Sequence, residues 1–131
     1  VKSLQMNDYI SEIFSVEELI PSAGQGTISL QCREDDNEIT SILKKINHSK
    51  THQRVTAERN VLKVLEGDCE TAVGAHAKID GNKITLEAEL FSLDGSQRFY
   101  EKKTSEIIYA ETLGKEVGKI LKSKSKNTYK K

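Results

Sequence analysis

The sequence predicts an α+β fold: a three-stranded antiparallel sheet with helices packed on one face, preceded by strand and helix remnants of other domains. Two observations predict it. From residue 75 onward apolar residues recur at period 2 in two runs separated by a "DGN" turn, and a second turn, "LDGSQ", leads to a third strand. On either side of these runs, over residues 49–65 and 107–122, the period is 3.6. A meander flanked by such helices buries its apolar side under them and leaves the other side wet.

Residues 9–14 read as a short strand, and Ser15 can cap a helical turn at Val16, Glu17 and Glu18. Pro21, Gly24 and Gly26 punctuate "IPSAGQG", after which residues 27–33 alternate as a strand. That strand would carry Ile28, Leu30 and Cys32 on one face, with Cys32 a small buried hydrophobe. Asp35 or Asp36 can cap a helix ending near Ile46, whose stripe is Ile39, Ile42, Leu43 and Ile46. Asn47 breaks it, and Ser49 can cap a longer helix to Leu65. Glu58 falls on the apolar stripe of that helix with Val55 and Leu62, and Arg54 lies one turn before it. A partly buried structural ion pair between the two is expected, rather than a catalytic carboxylate. Gly67 suits a left-handed cap. The strands centre on residues 75–79, 84–90 and 98–104. In the last helix Ile107, Ala110, Leu113, Val117, Ile120 and Leu121 face the core, while Gly114 and Gly118 lower helix propensity.

A chain of 131 residues suits one ordinary domain. Lysine plus arginine and aspartate plus glutamate balance at 20 each, so no global field draws it to nucleic acid or membrane. Residues 115–131 are an exception, with seven lysines and one acid, and read as a frayed basic tail. Cys32 and Cys69 lack disulfide-like spacing, which favours a reducing, cytoplasmic compartment. No apolar run approaches the roughly 20 residues of a membrane span, and nothing reads as a signal peptide. The chain opens at Val1 and reads as a piece of something longer.

No metal constellation is evident: His48 and His52 sit four apart but read as surface residues near a helix start. "GQG" lacks the lysine and helix of a phosphate loop. The remaining chemistry is Cys69, in "LEGDCETAVGA". It follows the negative end of a helix and sits beside Asp68 and Glu70, so its thiol should titrate above the roughly 8.5 of a free cysteine. Such a thiol is a poor repeated nucleophile. The residues alone leave two alternatives, an inert thiol or one that reacts once.

The run "ERNVLKVLEGDCETAVGA" resembles the signature of the porphobilinogen deaminase family, in which a helix bearing Glu-Arg leads to Leu-x-Gly-x-Cys and then a strand. "LIPSAGQGTISLQCR" and "NHSKTHQRVTAER" resemble the stretches that precede it, in the same order. The resemblance implies a three-domain enzyme that joins four porphobilinogen molecules into hydroxymethylbilane with release of ammonia, in heme biosynthesis. It implies a dipyrromethane cofactor held by a thioether to Cys69, whose sulfur would attack an electrophilic methylene once. Gln25 and Gly26 would line the cofactor cleft, and Arg33 would meet the acetate or propionate groups of the growing chain.

By the same resemblance, residues 1–26 end the second domain, 27–47 are the returning strand and helix of the first, 48–123 form the C-terminal cofactor-anchoring domain, and 124–131 are a basic flexible tail. The family's catalytic aspartate would lie before Val1, so no catalytic residue is expected here. The 131-residue chain alone should be inactive and carry no cofactor. Asp68 stands where the family has a small residue, and Ala72 where it has proline. The family is typically monomeric, but exposed edges could drive this chain to self-associate. Two other readings are a double-stranded-RNA-binding-like module, suggested by element order and the basic last helix, and a structural interaction module. Glu87, Glu89 and Glu101 in the meander weigh against the former.

Overall fold

The computed structural model describes residues 4–66 and 71–130. Helix α1 (Asn37–Ile46) and helix α2 (Ser49–Leu65) are followed by strands β1 (Val73–Asp80), β2 (Lys83–Phe91) and β3 (Arg98–Glu106), and by helix α3 (Ala110–Ser125). The sheet is antiparallel in the order β1-β2-β3. Its inner face presents Ala75 and Ala77 from β1 and Ile84, Leu86, Ala88 and Leu90 from β2 to helices α2 and α3. Ala57, Val61 and Leu65 of α2 and Leu113, Val117 and Leu121 of α3 complete this core, each no more than 2% exposed. The helices therefore lie on one face, as the change of period predicts.

The outer face is polar and cross-linked. Glu87 accepts from Lys102 at 2.8 Å and from the Tyr100 hydroxyl at 2.9 Å, while Arg98 Nε donates to Glu89 at 2.8 Å. Glu87 lies directly opposite Lys102 in the ladder. At the β2–β3 turn, the Asp94 carboxylate collects the Ser92 hydroxyl and both the N–H and hydroxyl of Ser96. These donors, the Ser92 hydroxyl first, hold its pKa down from the usual 3.8 to about 2. A depressed carboxylate adds stability above its unfolded pKa and loses it as pH falls through the folded one. The stability difference between the wild type and Asp94→Asn is therefore expected to be full above pH ~4 and to vanish towards pH ~2 in acid-melting experiments. A difference that did not change over that window would contradict the hydrogen-bonded turn.

Four sequence expectations are corrected. Residues 9–14 are not a strand: a short 3-10 turn (Asn7–Tyr9) precedes extended chain. Residues 27–33 form no strand either, and Ile28 is 88% exposed. Period-2 patterning makes a strand only where another strand supplies hydrogen bonds, and none among the described residues does so here. Helix α2 is capped by His48, not Ser49, with His48 Nδ1 accepting the Thr51 N–H at 3.3 Å. The basic tail does not stand free in solvent: Tyr129 is 1% exposed, and the Leu93 N–H donates to the Thr128 carbonyl at 3.0 Å.

Other expectations match the structure. Asp36 caps α1, accepting the Ile39 N–H at 3.0 Å. Ser15 and Glu18 bind reciprocally around a turn, the Ser15 hydroxyl accepting from the Glu18 N–H and the Glu18 carboxylate from the Ser15 N–H. Gly67, expected as a left-handed cap, lies outside the described residues. Glu66 is itself left-handed, at φ 53°, and its N–H reaches the Leu62 carbonyl at 3.0 Å.

Candidate functional site

Cys69, with Gly67, Asp68 and Glu70, lies outside the described residues; what is described is the pair of posts between which that short connection runs. The first post is the end of α2. The last carbonyls of a helix lack N–H partners of their own and must be met by other groups. Lys122 Nζ donates to the Val64 carbonyl at 3.3 Å, and the Tyr129 hydroxyl to the Leu65 carbonyl at 2.8 Å. Lys122 also reaches the Glu66 carboxylate at 2.9 Å, with Lys130 at 3.8 Å. The hydrogen bond from Lys122, then the charges of Lys122 and Lys130, lower the Glu66 pKa. Burial pushes the Tyr129 phenol up. The second post is the approach to β1, where the Phe91 N–H donates to the Ala72 carbonyl at 3.0 Å.

The segment over residues 20–26 is fastened to the same domain. β1 is an edge strand, and its outward N–H groups need acceptors other than a strand. Pro21 supplies one, its carbonyl accepting the Ala75 N–H at 2.9 Å. Two residues on, the Ala77 N–H donates to Glu58 Oε1 at 2.8 Å, and the other carboxylate oxygen accepts the Gly24 N–H at 2.7 Å. This corrects the expected Glu58–Arg54 ion pair. Among the described residues Arg54 Nε is buried without a hydrogen-bond partner, while Glu58, 5% exposed, bonds two backbone N–H groups. One carboxylate thus ties α2, the edge of β1 and the segment over residues 20–26 together.

Gln25 and Gly26 follow directly and are exposed, Gly26 with a left-handed φ of 75° and open space where a side chain would stand. The Arg33 side chain is 85% exposed and lies 3.8 Å from the Asp36 carboxylate. A groove of about 820 Å³ runs between residues 23–32, α1 and α2, lined in part by Ile28, Cys32, Leu43, His52, Val55 and Arg59. Gln25, Gly26 and Arg33 are not among its lining residues, so the structure does not gather them into one pocket. Cys32 is half-buried on this groove, its sulfur 3.6 Å from the Thr40 hydroxyl.

The Arg33 guanidinium stands largely in solvent, where it can meet an acidic group. Among the described residues no group of three histidine, cysteine, aspartate or glutamate side chains could hold a metal ion, and no helix is long and apolar enough to cross a membrane. The interactions of Tyr129 and Lys122 with the end of α2 escaped sequence reasoning. The available signal was a single aromatic residue set among the lysines of the tail.

Comparison with known proteins places these features in a family. A family model described as "Porphobilinogen deaminase, C-terminal domain" matches residues 52–123, and one described as "Porphobilinogen deaminase, dipyromethane cofactor binding domain" matches residues 1–41. The porphobilinogen deaminase of Desulforamulus reducens is 40% identical, over 87% of this chain and 37% of its own length. That of Staphylococcus carnosus is 38% identical over 88% of this chain and 37% of its own. That of Chloroherpeton thalassium is 31% identical over 97% of this chain and 42% of its own. The chain thus spans about two fifths of the length of these relatives. With both family models and these relatives in agreement, the chain belongs to the porphobilinogen deaminase family.

Proposed function

We propose that these residues are the C-terminal part of a transferase that condenses four porphobilinogen molecules into hydroxymethylbilane, and that Cys69 anchors its dipyrromethane cofactor by a thioether. One observation carries this reading: within the matched C-terminal domain, Cys69 lies in the short connection between the end of α2 and β1. The anionic setting of Asp68 and Glu70 suits a thiol that reacts once, because a thioether has no charge left to titrate. In attachment, sulfur would attack the aminomethyl carbon of a porphobilinogen unit; the S–C bond forms as the C–N bond breaks, and ammonia carries off the thiol proton. When held there, the cofactor would supply the carbon terminus on which the chain grows.

The role of this chain's own residues is binding and support. Arg33 meets carboxylate side chains of the growing pyrrole chain, and Gln25 with Gly26 lies along the cleft where the segment crosses between domains. Free thiols suit a reducing, cytoplasmic setting. The catalytic aspartate and most acid-binding arginines belong to preceding domains, so the 131-residue chain alone would neither consume porphobilinogen nor carry cofactor.

An assay of porphobilinogen consumption tests this. The complete parent chain is expected to turn over and to lose at least 100-fold in rate on Cys69→Ala, while residues 1–131 alone show none. Turnover by the isolated chain, or an unaffected Cys69→Ala parent, would contradict the reading.

A further inference from the structure

The two outer edges of the sheet are protected in different ways. On β3, Arg98, Glu101, Lys102, Lys103 and Glu106 are charged, and Lys124 Nζ donates to the Tyr100 carbonyl at 3.0 Å. Charged edges of this kind resist pairing with another chain. Along β1, by contrast, residues 73–77 read Val-Gly-Ala-His-Ala, small side chains with no formal charge at pH 7. What covers this edge is the segment over residues 20–24. In an antiparallel strand the N–H and carbonyl of one residue point to the same side, so Ala75 and Ala77, whose N–H groups meet Pro21 and Glu58, turn their backbone away from β2. Ile20, 6% exposed, lies so near that a Cβ on Gly74 would stand 2.6 Å from its carbonyl oxygen and 3.1 Å from its Cγ2. Only glycine admits Ile20 there. The segment forms no strand of its own, so it closes the edge without extending the ladder.

We propose that residues 20–24 are a strap that closes, within one chain, a strand-docking edge whose occupant, when the strap is off, is β1 of a second copy. The edge is self-complementary. Antiparallel pairing about His76 sets Ala75 of each copy opposite Ala77 of the other, and both pairs can exchange N–H and carbonyl. Lys78 then falls opposite Gly74, and no like charges come directly opposite each other. The strap takes up the donors on which that pairing depends, the Ala75 N–H through Pro21 and the Ala77 N–H through the carboxylate that also holds Gly24. Copies with the strap in place have no open strand to offer along β1.

The test uses the 131-residue chain, with self-association measured by sedimentation velocity over a concentration series and hydrogen exchange at the Ala75 amide read by NMR. Gly74→Ala displaces Ile20. It is expected to speed exchange at Ala75 and to tighten self-association roughly tenfold over the wild type, which is what about one typical net hydrogen bond contributes. Adding Ala75→Pro removes an N–H from the open edge and leaves β1 its bonds to β2, so association should return to the wild-type level. A double variant that associates as tightly as Gly74→Ala would place the contact elsewhere, unfolded chain included, and overturn the proposal. Unchanged exchange at Ala75 would overturn it too, by showing that Ile20 does not hold the strap. Faster exchange with no tighter association would do the same, by showing that the uncovered edge docks no second copy.

Discussion

Replacing Glu58 with alanine is expected to destabilise the 131-residue chain by about 3 kcal/mol, because it strands two backbone N–H groups at once and each can cost about 1–3 kcal/mol. Charged acceptors form the stronger hydrogen bonds, and both here are short, at 2.7 and 2.8 Å. The Ala77 N–H points out of the edge of β1 into space that the α2 side chain fills, so water cannot simply replace the carboxylate. Glu58→Gln keeps one acceptor oxygen but turns an NH2 towards the other donor, and about half the loss should remain. The midpoint of thermal unfolding should fall by roughly 10 °C for alanine. A fall of only a degree or two would mean that these backbone groups find other partners. The same substitution should release the Gly24 N–H, while the Pro21 carbonyl still holds the segment to the Ala75 N–H.

Gly114→Ala is expected to cost about 2–3 kcal/mol, although alanine is the better helix former by about 1 kcal/mol. A Cβ at this position would sit inside the Ala57 carbonyl oxygen and 2.8 Å from the Asn60 Cβ. The backbone of α2 cannot yield as a flexible side chain would, so α3 must move away from α2 and loosen the packing of Leu113 and Val117. Gly118→Ala meets the Val64 Cβ at 2.8 Å and the Val61 carbonyl at 3.1 Å, and the milder backbone clash predicts a smaller loss. Urea unfolding of the two variants gives the order directly. Equal or improved stability for Gly114→Ala would show that the helices are not held in this close contact.

These two positions illustrate what the sequence makes legible. The stripe of α3 and the alternation of β1 and β2 are local patterns that place their share of the core correctly, whereas of the expected α2 stripe Val55 and Leu62 are only half-buried and Ala57 and Val61 join Leu65 in the core instead. Gly114 and Gly118 are visible as weak helix formers, but their use, a close crossing of α2 and α3, depends on which helix lies opposite. Glu58 stands out in its apolar stripe. Its partners, however, come from residues 34 positions before and 19 after it, which local spacing cannot reveal. Residues 27–33 carry strand patterning without a ladder, because pairing is a property of two segments. For Tyr129 the surrounding lysines suggest a solvated tail, but one aromatic ring with a buried hydrogen bond outweighs the solubility of its neighbours. Of the candidate site, residue types and order were legible: a thiol after a helix end, an arginine, a glycine-punctuated segment. The described residues do not gather Gln25, Gly26 and Arg33 into one pocket, and Cys69 lies outside them.

The most direct measurement is mass mapping of the complete parent enzyme after tryptic digestion. Cleavage after Lys63 and Lys78 releases residues 64–78, which contain Cys69, while Cys32 falls in a different peptide. The expected result is a dipyrromethane mass added to the Cys69 peptide alone, lost in Cys69→Ala together with activity. An active parent enzyme with an unmodified Cys69 peptide would contradict the assignment.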